Sequence, residues 1–277
     1  MRSILIVNAK HMDTPYIMRL YTFLLILIFP FFLVACASLS ESEKETKDWP
    51  ASRFYERGKE RLNAGDYEKA VKDFETLVSR YPFGPYAQQA QLEIAYAYYK
   101  YDESESSIAA ADHFIKLYPR HPNVDYAYYV KGLANFTRGI GGLERLFGQD
   151  PSERDPRAAR ESLQHFTQLV KLFPNSKYAQ DAAQRTLYLY NNLARYEIHV
   201  ANYYMRRGAY LAAANRAKYV IENYPTTTAT PDALGIMAKA YKLLGMNDLS
   251  IDALRVLEMN YPQSPYLAEV RKLTVRN

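Results

Sequence analysis

Cysteine is almost absent from this sequence, because Cys36 is the only one in 277 residues. A single thiol can form no internal disulfide, so stability must come from the packing of secondary structure. The five histidines are scattered, and neither a His-Glu-x-x-His nor a Cys-x-x-Cys spacing occurs. The sequence therefore predicts neither a disulfide scaffold nor a metal site.

An excess of one charge is also missing. The formal net charge is +5, and residues 1–35 contribute three basic residues and one acidic residue. Removing them from the 35 basic and 30 acidic residues leaves 32 and 29, a net charge of +3. Nucleic-acid binding requires clustered basic residues, which this sequence does not contain. We therefore predict that nucleic acid is not a partner.

Signatures of catalysis are absent as well. There is no Gly-x-Ser-x-Gly motif, and the glycines near residue 140 are not followed by Gly-Lys-Ser/Thr. The carboxylates Asp102, Glu103 and Glu105 lie at a predicted turn, where we expect them to cap the following helix. A carboxylate pair that serves acid–base chemistry is the alternative. We predict a protein that is not an enzyme.

What the sequence does contain is a helical repeat. Between residues 81 and 262, five aromatic–proline pairs recur, and their prolines are 37, 55, 51 and 37 residues apart. A small residue lies twenty-four residues before four of these prolines. The pairs are Tyr81-Pro82, Tyr118-Pro119, Phe173-Pro174, Tyr224-Pro225 and Tyr261-Pro262, and the small residues are Gly58, Ala95, Ala201 and Ala238. This phase is typical of tetratricopeptide (TPR) repeats.

Each repeat is expected to be a helix, a turn and a second helix. The small residue lets the two helices approach closely, and proline ends the second helix because it lacks an N–H. We predict an all-α, TPR-like α-solenoid of five helix-turn-helix repeats with a C-terminal capping helix over residues 265–275. Its first helices should form an extended inner groove, and grooves of this kind bind peptides.

The third and fourth repeats contain extra residues. Gly132 lies 42 residues before Pro174, so 18 residues are inserted, and we assign the insertion to residues 138–156. Its apolar residues Leu143, Leu146 and Phe147 predict a packed hook or a partner contact, and Asp155-Pro156 predicts the start of a helix that runs through Phe173. In the fourth repeat, residues 178–192 form an extra helical stretch. It is either separate from residues 193–207 or continuous with them.

The N-terminus has the features of a targeting signal. Residues 20–34 are an apolar run of 15, too short for a spanning helix and typical of a secretory signal. The run ends in Leu-Val-Ala-Cys36, which resembles a bacterial lipobox. We predict that residues 1–35 are a signal peptide and that Cys36 carries N-acyl and S-diacylglycerol groups, with no other cofactor. The alternative is an uncleaved anchor with an incidental cysteine.

The rest of the chain divides by composition. Residues 36–51 are polar, charged and without periodicity, which predicts a flexible lipidated tether with a span of about 20 Å. We assign residues 52–174 to N-terminal repeats one to three, and residues 175–277 to C-terminal repeats four and five with the cap. Ala37 in place of aspartate is typical of lipoproteins sorted to the outer membrane.

Together, the lipobox, the tether and the five repeats resemble the BamD family, lipoproteins of the β-barrel assembly machinery (BAM). The matching stretches are Tyr81-Pro-Phe-Gly-Pro-Tyr-Ala-Gln-Gln89, His121-Pro-Asn-Val-Asp-Tyr126, Phe147-Gly148 with Asp155-Pro156, and Ala194-Arg-Tyr-Glu197 leading to Arg206-Arg-Gly208. The resemblance covers nearly all of the mature chain, and only the long N-terminus departs from the pattern. The resemblance implies a non-catalytic scaffold that is lipid-anchored in the outer membrane and faces the periplasm.

The resemblance also implies partners and candidate sites. The N-terminal repeats would receive aromatic-ending segments of unfolded outer-membrane proteins, the C-terminal repeats would dock the POTRA part of BamA, and BamC and other BAM lipoproteins would pack alongside. By position, the peptide-binding candidates are Tyr81, Phe83, Tyr86, Gln89 and Tyr96. Arg207 and Arg216 are candidates for partner carboxylates, since arginine forms bidentate bonds with them, and Leu143 and Phe147 are further partner-binding candidates.

Two other functions fit parts of the pattern. A TPR adaptor for envelope or peptidoglycan enzymes would have the same helices and the same anchor. A peptidoglycan-cleaving solenoid would need a further catalytic domain, and the 241 residues after Cys36 are occupied by the repeats. The adaptor is therefore the main alternative to a role in barrel assembly.

Overall fold

The computed structural model describes residues 46–138, 150–153 and 155–273, and within them the chain is helical without strands. The helices are α1 (Ala51–Asn63), α2 (Tyr67–Arg80), α3 (Pro85–Lys100), α4 (Ser104–Leu117), α5 (Val124–Arg138), α6 (Arg157–Leu172), α7 (Ala179–Arg206), α8 (Tyr210–Asn223), α9 (Thr230–Leu243), α10 (Asn247–Asn260) and α11 (Pro265–Lys272), with a 3-10 turn at Pro151–Glu153. The all-α prediction is confirmed. None of the described helices is long and apolar enough to cross a bilayer.

The chain divides into two compact units after Arg53. In the described part of the first unit, the Arg53 guanidinium lies 4.1 Å from the centre of the Trp49 ring. In the second unit, consecutive helices pack against each other from α2 to α10, and α11 packs against α9. These contacts include four of the five predicted helix pairs and the capping helix, and the first pair, α1 with α2, meets where Gly58 faces the ring of Phe74.

The small residues of the first helices lie where the helices cross. A Cβ atom on Gly58 would lie 2.5 Å from the ring of Phe74, and one on Gly132 would lie 2.4 Å from the ring of Phe166. Both rings are fully buried. Two other pairs are matched in size, because Ala95 shares a cluster with Ala111, and Ala201 with Ala217. Size complementarity therefore holds in four of the five pairs.

A buried serine bond recurs at the same crossing, and the sequence-based prediction missed it. Ser107 Oγ donates to the carbonyl of Ala95 at 2.8 Å, Ser162 Oγ to Gly132 at 2.9 Å, and Ser250 Oγ to Ala238 at 2.8 Å. Each serine lies twelve residues before the proline of its aromatic–proline pair, which is a signal that the sequence contains. The bond ties the two helices of a repeat at their closest approach.

The turns within four repeats share one left-handed residue, two positions after the first helix. These residues are Gly65, Asp102, Gly208 and Gly245, with φ between 65° and 80°. Asp102 therefore occupies a position that favours glycine. Glu103 stands at the N-cap of α4 without a side-chain capping bond. The expectation that Asp102 and Glu103 cap this helix is wrong, because their backbone serves the turn instead.

The predictions for the third and fourth repeats, which contain extra residues, have different outcomes. Helix α6 begins at Arg157 with Pro156 at the N-cap position, so the predicted start, with Asp155 as the cap and Pro156 as the first helical residue, is one residue too early. Asp155 Oδ1 accepts a hydrogen bond from the N–H of Arg157 at 3.0 Å. Leu143, Leu146 and Phe147 lie outside the described residues. In the fourth repeat, α7 is one continuous helix of 28 residues, which decides between the two alternatives for residues 178–207.

Candidate functional site

A cavity of about 270 Å³ lies among the first helices of repeats one to three. Its wall consists of α1, α3, α5 and the residues that immediately precede α5 and α7. The lining residues are Tyr55, Lys59, Gln89, Leu92, Glu93, Tyr96, Asn123, Tyr126, Lys177 and Tyr178. First helices therefore line a concave site, as the repeat pattern predicts.

The five peptide-binding candidates occupy different positions relative to this cavity. Gln89 and Tyr96 line it. Tyr86 lies at its margin, where its ring centre is 5.6 Å from that of Tyr55. Tyr81 follows α2 and Phe83 lies in the next turn with 90% of its surface exposed, and neither contributes to the lining. The structure thus brings two of the five into one site and a third against its wall.

Charge in the cavity is unequal. Glu93 Oε1 accepts hydrogen bonds from Lys59 Nζ at 2.8 Å and from the Tyr55 hydroxyl at 3.2 Å. Lys177 forms no ion pair within the described residues, and its Nζ lies 5.0 Å from the centre of the Tyr178 ring. Two ammonium groups therefore face one carboxylate. The cavity has an excess positive charge that an anionic ligand group would neutralise.

Two tyrosines of the site, Tyr55 and Tyr126, are held in the neutral form by a raised pKa. Burial, together with the charge of Glu93, raises the pKa of Tyr55 to about 12. Burial also raises the pKa of Tyr126, whose ring centre lies 6.3 Å from Tyr96 and 5.3 Å from Tyr178. Tyr129 stacks on Tyr178 at 4.7 Å behind this wall. A connected row of rings offers both flat apolar surface and hydroxyl groups.

Most lining residues were not among the sequence-based candidates. They come from four segments that are far apart in the chain, which a local pattern does not connect. A signal does exist for some of the aromatic residues, because a tyrosine follows a proline by four residues at Tyr86, Tyr126 and Tyr178. That spacing places the ring at the start of a first helix, where it faces the cavity or its margin.

The two arginine candidates lie in different surroundings. Arg216 Nη1 bonds to Glu197 Oε2 at 3.0 Å, and Arg160 Nη2 bonds to Glu197 Oε1 at 3.2 Å. The Glu197 side chain is 1% exposed, whereas those of the two arginines are 45% and 46% exposed. Arg207, at the end of α7, lies over the ring of Tyr203 instead. We name Arg160, Glu197 and Arg216 the charge triad.

One serine and one histidine meet near the end of the insertion. Ser152 Oγ lies 2.9 Å from His199 Nε2 and 2.7 Å from Asp150 Oδ1. A hydrolase triad places the carboxylate on the other imidazole nitrogen, whereas here it binds the serine, and Ser152 is buried. Hydrogen bonds from the N–H and hydroxyl of Ser152 lower the pKa of Asp150. The contact attaches this segment to α7 and does not form a nucleophile.

Comparison with known proteins gives consistent relatives. Residues 47–253 match the family model described as YfiO, outer membrane lipoprotein. The outer membrane protein assembly factor BamD of Neisseria gonorrhoeae is 47% identical over 238 residues, which cover 85% of this chain and 89% of that protein. BamD of Xylella fastidiosa strain 9a5c is 35% identical over 261 residues, covering 91% and 89%. BamD of Vibrio cholerae is 35% identical over 221 residues, covering 80% and 92%.

Among solved structures, a thermophilic TPR protein of Thermus thermophilus aligns over 81% of this chain and 100% of that chain, with 16% identity and a TM-score of 0.33. That score is too low to add to the helix pairing described above.

Proposed function

Because this chain belongs to the YfiO family of outer membrane lipoproteins, whose relatives are outer membrane protein assembly factors, we propose that it is a non-catalytic scaffold of the BAM complex. Its N-terminal cavity binds segments of unfolded outer-membrane proteins. Repeats four and five dock the POTRA part of BamA, and BamC and other BAM lipoproteins bind alongside. The assembly factors among the relatives favour this role over that of an adaptor for peptidoglycan enzymes.

The cavity of repeats one to three carries the client-binding part of the proposal. At about 270 Å³ it is slightly smaller than most small-molecule sites, so it suits the end of a chain better than a whole metabolite. The tyrosine rings can stack on an aromatic side chain, and Gln89 and Asn123 can hydrogen-bond an extended backbone. The excess positive charge favours a terminal carboxylate. A segment that ends in an aromatic residue fits these three features.

Peptide binding by a Lys177→Gln variant tests this proposal. We expect the variant to bind a peptide with a C-terminal phenylalanine about tenfold more weakly. The lost contact between the lysine and the terminal carboxylate contributes about 1.4 kcal/mol to binding, which corresponds to this change in affinity. Binding of the same peptide with a C-terminal amide should hardly change. Fluorescence anisotropy with labelled peptides measures both affinities.

A matched control is Lys100→Gln, which removes a lysine at the exposed end of α3, outside the cavity. It should bind both peptides like the wild type. Equal affinity of the wild type for the acid and the amide would contradict a carboxylate site, and an unchanged Lys177→Gln variant would contradict the role of this lysine.

Anchoring through Cys36 is the second part of the proposal, and it is supported by the lipobox and by the lipoprotein family. Several acyl chains make membrane attachment stable, with the body facing the periplasm. We expect Cys36→Ala to be folded and released from washed membranes when BamA is absent. Fractionation with immunoblotting measures this release, and retention of the variant in the membrane would contradict the anchor.

A further inference from the structure

Helix α7 contains the pattern of a first helix twice. In repeats two, three and five the small residue follows the proline of the preceding aromatic–proline pair by thirteen residues, at Ala95, Gly132 and Ala238. The same count from Pro174 reaches Leu187, while the small residue that faces α8 is Ala201, fourteen residues later. This explains why α7 has 28 residues and the other helices before the cap have 13 to 16. The first half of α7 belongs to a repeat that has no second helix of its own.

The consequence is an exposed face. Ala95, Gly132 and Ala238 are buried, and a serine from their second helix bonds to the carbonyl of each. Leu187 is 61% exposed, and its carbonyl accepts a hydrogen bond from Asn191 Nδ2 of its own helix at 2.9 Å. Helix α8 packs mainly on the second half of α7, from Leu193 onward, and it reaches the first half at Tyr190, whose hydroxyl donates to the carbonyl of Asn223. Within the described residues, nothing occupies the place of the missing helix.

We infer that this exposed face binds one helix of a resident BAM protein, in the position of a second repeat helix. The face is formed by four exposed residues one turn apart or less, namely Gln180, Ala183, Gln184 and Leu187. The inference rests on the proposed function, because it places the partner in the same assembly. It goes beyond the cavity and the arginine candidates, which lie elsewhere on the chain.

The chemistry of the face specifies its partner. The face has no charge of its own, and the neighbouring Asp181 and Arg185 bond to each other at 2.6 Å. An uncharged stripe on the partner therefore matches it. Size complementarity gives a second requirement, since Gly58 and Gly132 face phenylalanines in their own repeats. Leu187 is a large residue at the small position, so the partner should offer glycine, alanine or serine there.

A helix suits this face better than an extended client. The backbone groups of α7 are already bonded within the helix, so the face offers an extended strand only the side-chain amides of Gln180 and Gln184, too few to pair all of its N–H and C=O groups. A helix satisfies its own backbone and needs only side-chain packing. The occupant is therefore a folded, amphipathic helix with a seam of small residues, and not a segment of an unfolded barrel protein.

Cysteine labelling of the intact complex tests the inference. Ala183, Gln184 and Leu187 are each replaced by cysteine, and labelling with a polyethylene-glycol maleimide is compared between the purified chain and native outer membranes. We expect labelling to be at least tenfold slower in membranes at all three positions. Leu117→Cys is the matched control, since Leu117 is apolar and 48% exposed at the end of α4. The wild type gives the labelling background, because the thiol of Cys36 is blocked by the lipid in the proposed anchor.

Two further measurements separate the outcomes. Leu187→Glu should restore fast labelling at Gln184→Cys in membranes, while the melting temperature of the purified chain stays within about 2 °C, since the side chain is exposed. A photo-crosslinker at positions 183, 184 and 187 should reach partner residues three or four apart. Unprotected cysteines in a chain that copurifies with BamA, or crosslinks spaced two apart as in a strand, would overturn this inference alone. Failure to copurify with assembly proteins would overturn the proposed function with it.

Discussion

Replacing Gly132 with alanine should destabilise the chain by about 2–3 kcal/mol, although alanine is the better helix former. The added Cβ would lie 2.4, 2.5 and 2.8 Å from three ring atoms of Phe166. That ring is fully buried, and the rings of Tyr129 and Phe136 lie 6.0 and 6.3 Å from its centre. The ring therefore cannot turn away, and the overlap outweighs the gain of about 1 kcal/mol in helix propensity.

The same substitution should become favourable when the ring is removed. Phe166→Ala alone costs about 3–5 kcal/mol, because it leaves a large cavity in a packed core. In that background Gly132→Ala meets empty space, fills part of it and keeps its helix propensity. We expect it to raise stability by up to about 1 kcal/mol. Urea unfolding of the four proteins gives the double-mutant cycle, and an equal cost of Gly132→Ala in both backgrounds would show that the crossing is not limited by this contact.

Replacing Arg216 with glutamate should cost about 3–5 kcal/mol of stability. Glu197 is almost completely buried, and each of its oxygens bonds to one arginine of the charge triad. The Arg216→Glu variant places a second carboxylate beside that of Glu197, which is buried and cannot move into solvent. The arginines are nearly half exposed, so either one can turn to water when Glu197 is lost. Glu197→Gln should therefore cost less, about 1–2 kcal/mol.

Urea unfolding ranks the stabilities of these two variants, and the opposite order would mean that the arginines are the groups confined by packing.

The stability result also decides how docking to BamA is tested. Charge reversal at Arg216 disturbs the fold and the docking surface together, so a lost interaction would have two explanations. The Arg216→Gln/Glu197→Gln variant removes both charges and retains most hydrogen bonds. If it is folded yet binds the POTRA part of BamA more weakly, the proposed docking role of Arg216 is supported.

Arg207→Gln is the matched variant for the second arginine candidate. Arg207 lies over Tyr203 and has no acidic partner within the described part of the chain, so its loss should leave stability unchanged. A weaker POTRA interaction would then report docking directly. An unchanged interaction would remove Arg207 from the proposed surface.

Sequence periodicity was sufficient for the helix pairs because the forces that make them are local. Proline cannot continue a helix, so each aromatic–proline pair ends a second helix, and the small residue at Gly58 or Gly132 is required by a neighbour in the same repeat. The recurrent serine bond is equally local, and its constant distance from the proline would have revealed it. The two frames of α7 were visible in the same way, as an extra helical stretch before the fourth repeat.

The candidate site was only partly predictable for the opposite reason. The stacking of successive repeats brings together Tyr55, Tyr96, Tyr126 and Tyr178. Their spacing along the chain does not indicate that they line one cavity. The same stacking hid the intramolecular partner of Arg216, because Glu197 and Arg160 come beside it from two other helices.

From the order of residues alone, then, come the helix pairs and the capping helix, since each pair depends on contacts within about forty positions. The cavity, the charge triad and the uncovered half of α7 were decided by the tertiary structure. Each of them depends on the rotation between one repeat and the next. Many side-chain contacts together determine that rotation, so no single spacing in the sequence predicts it.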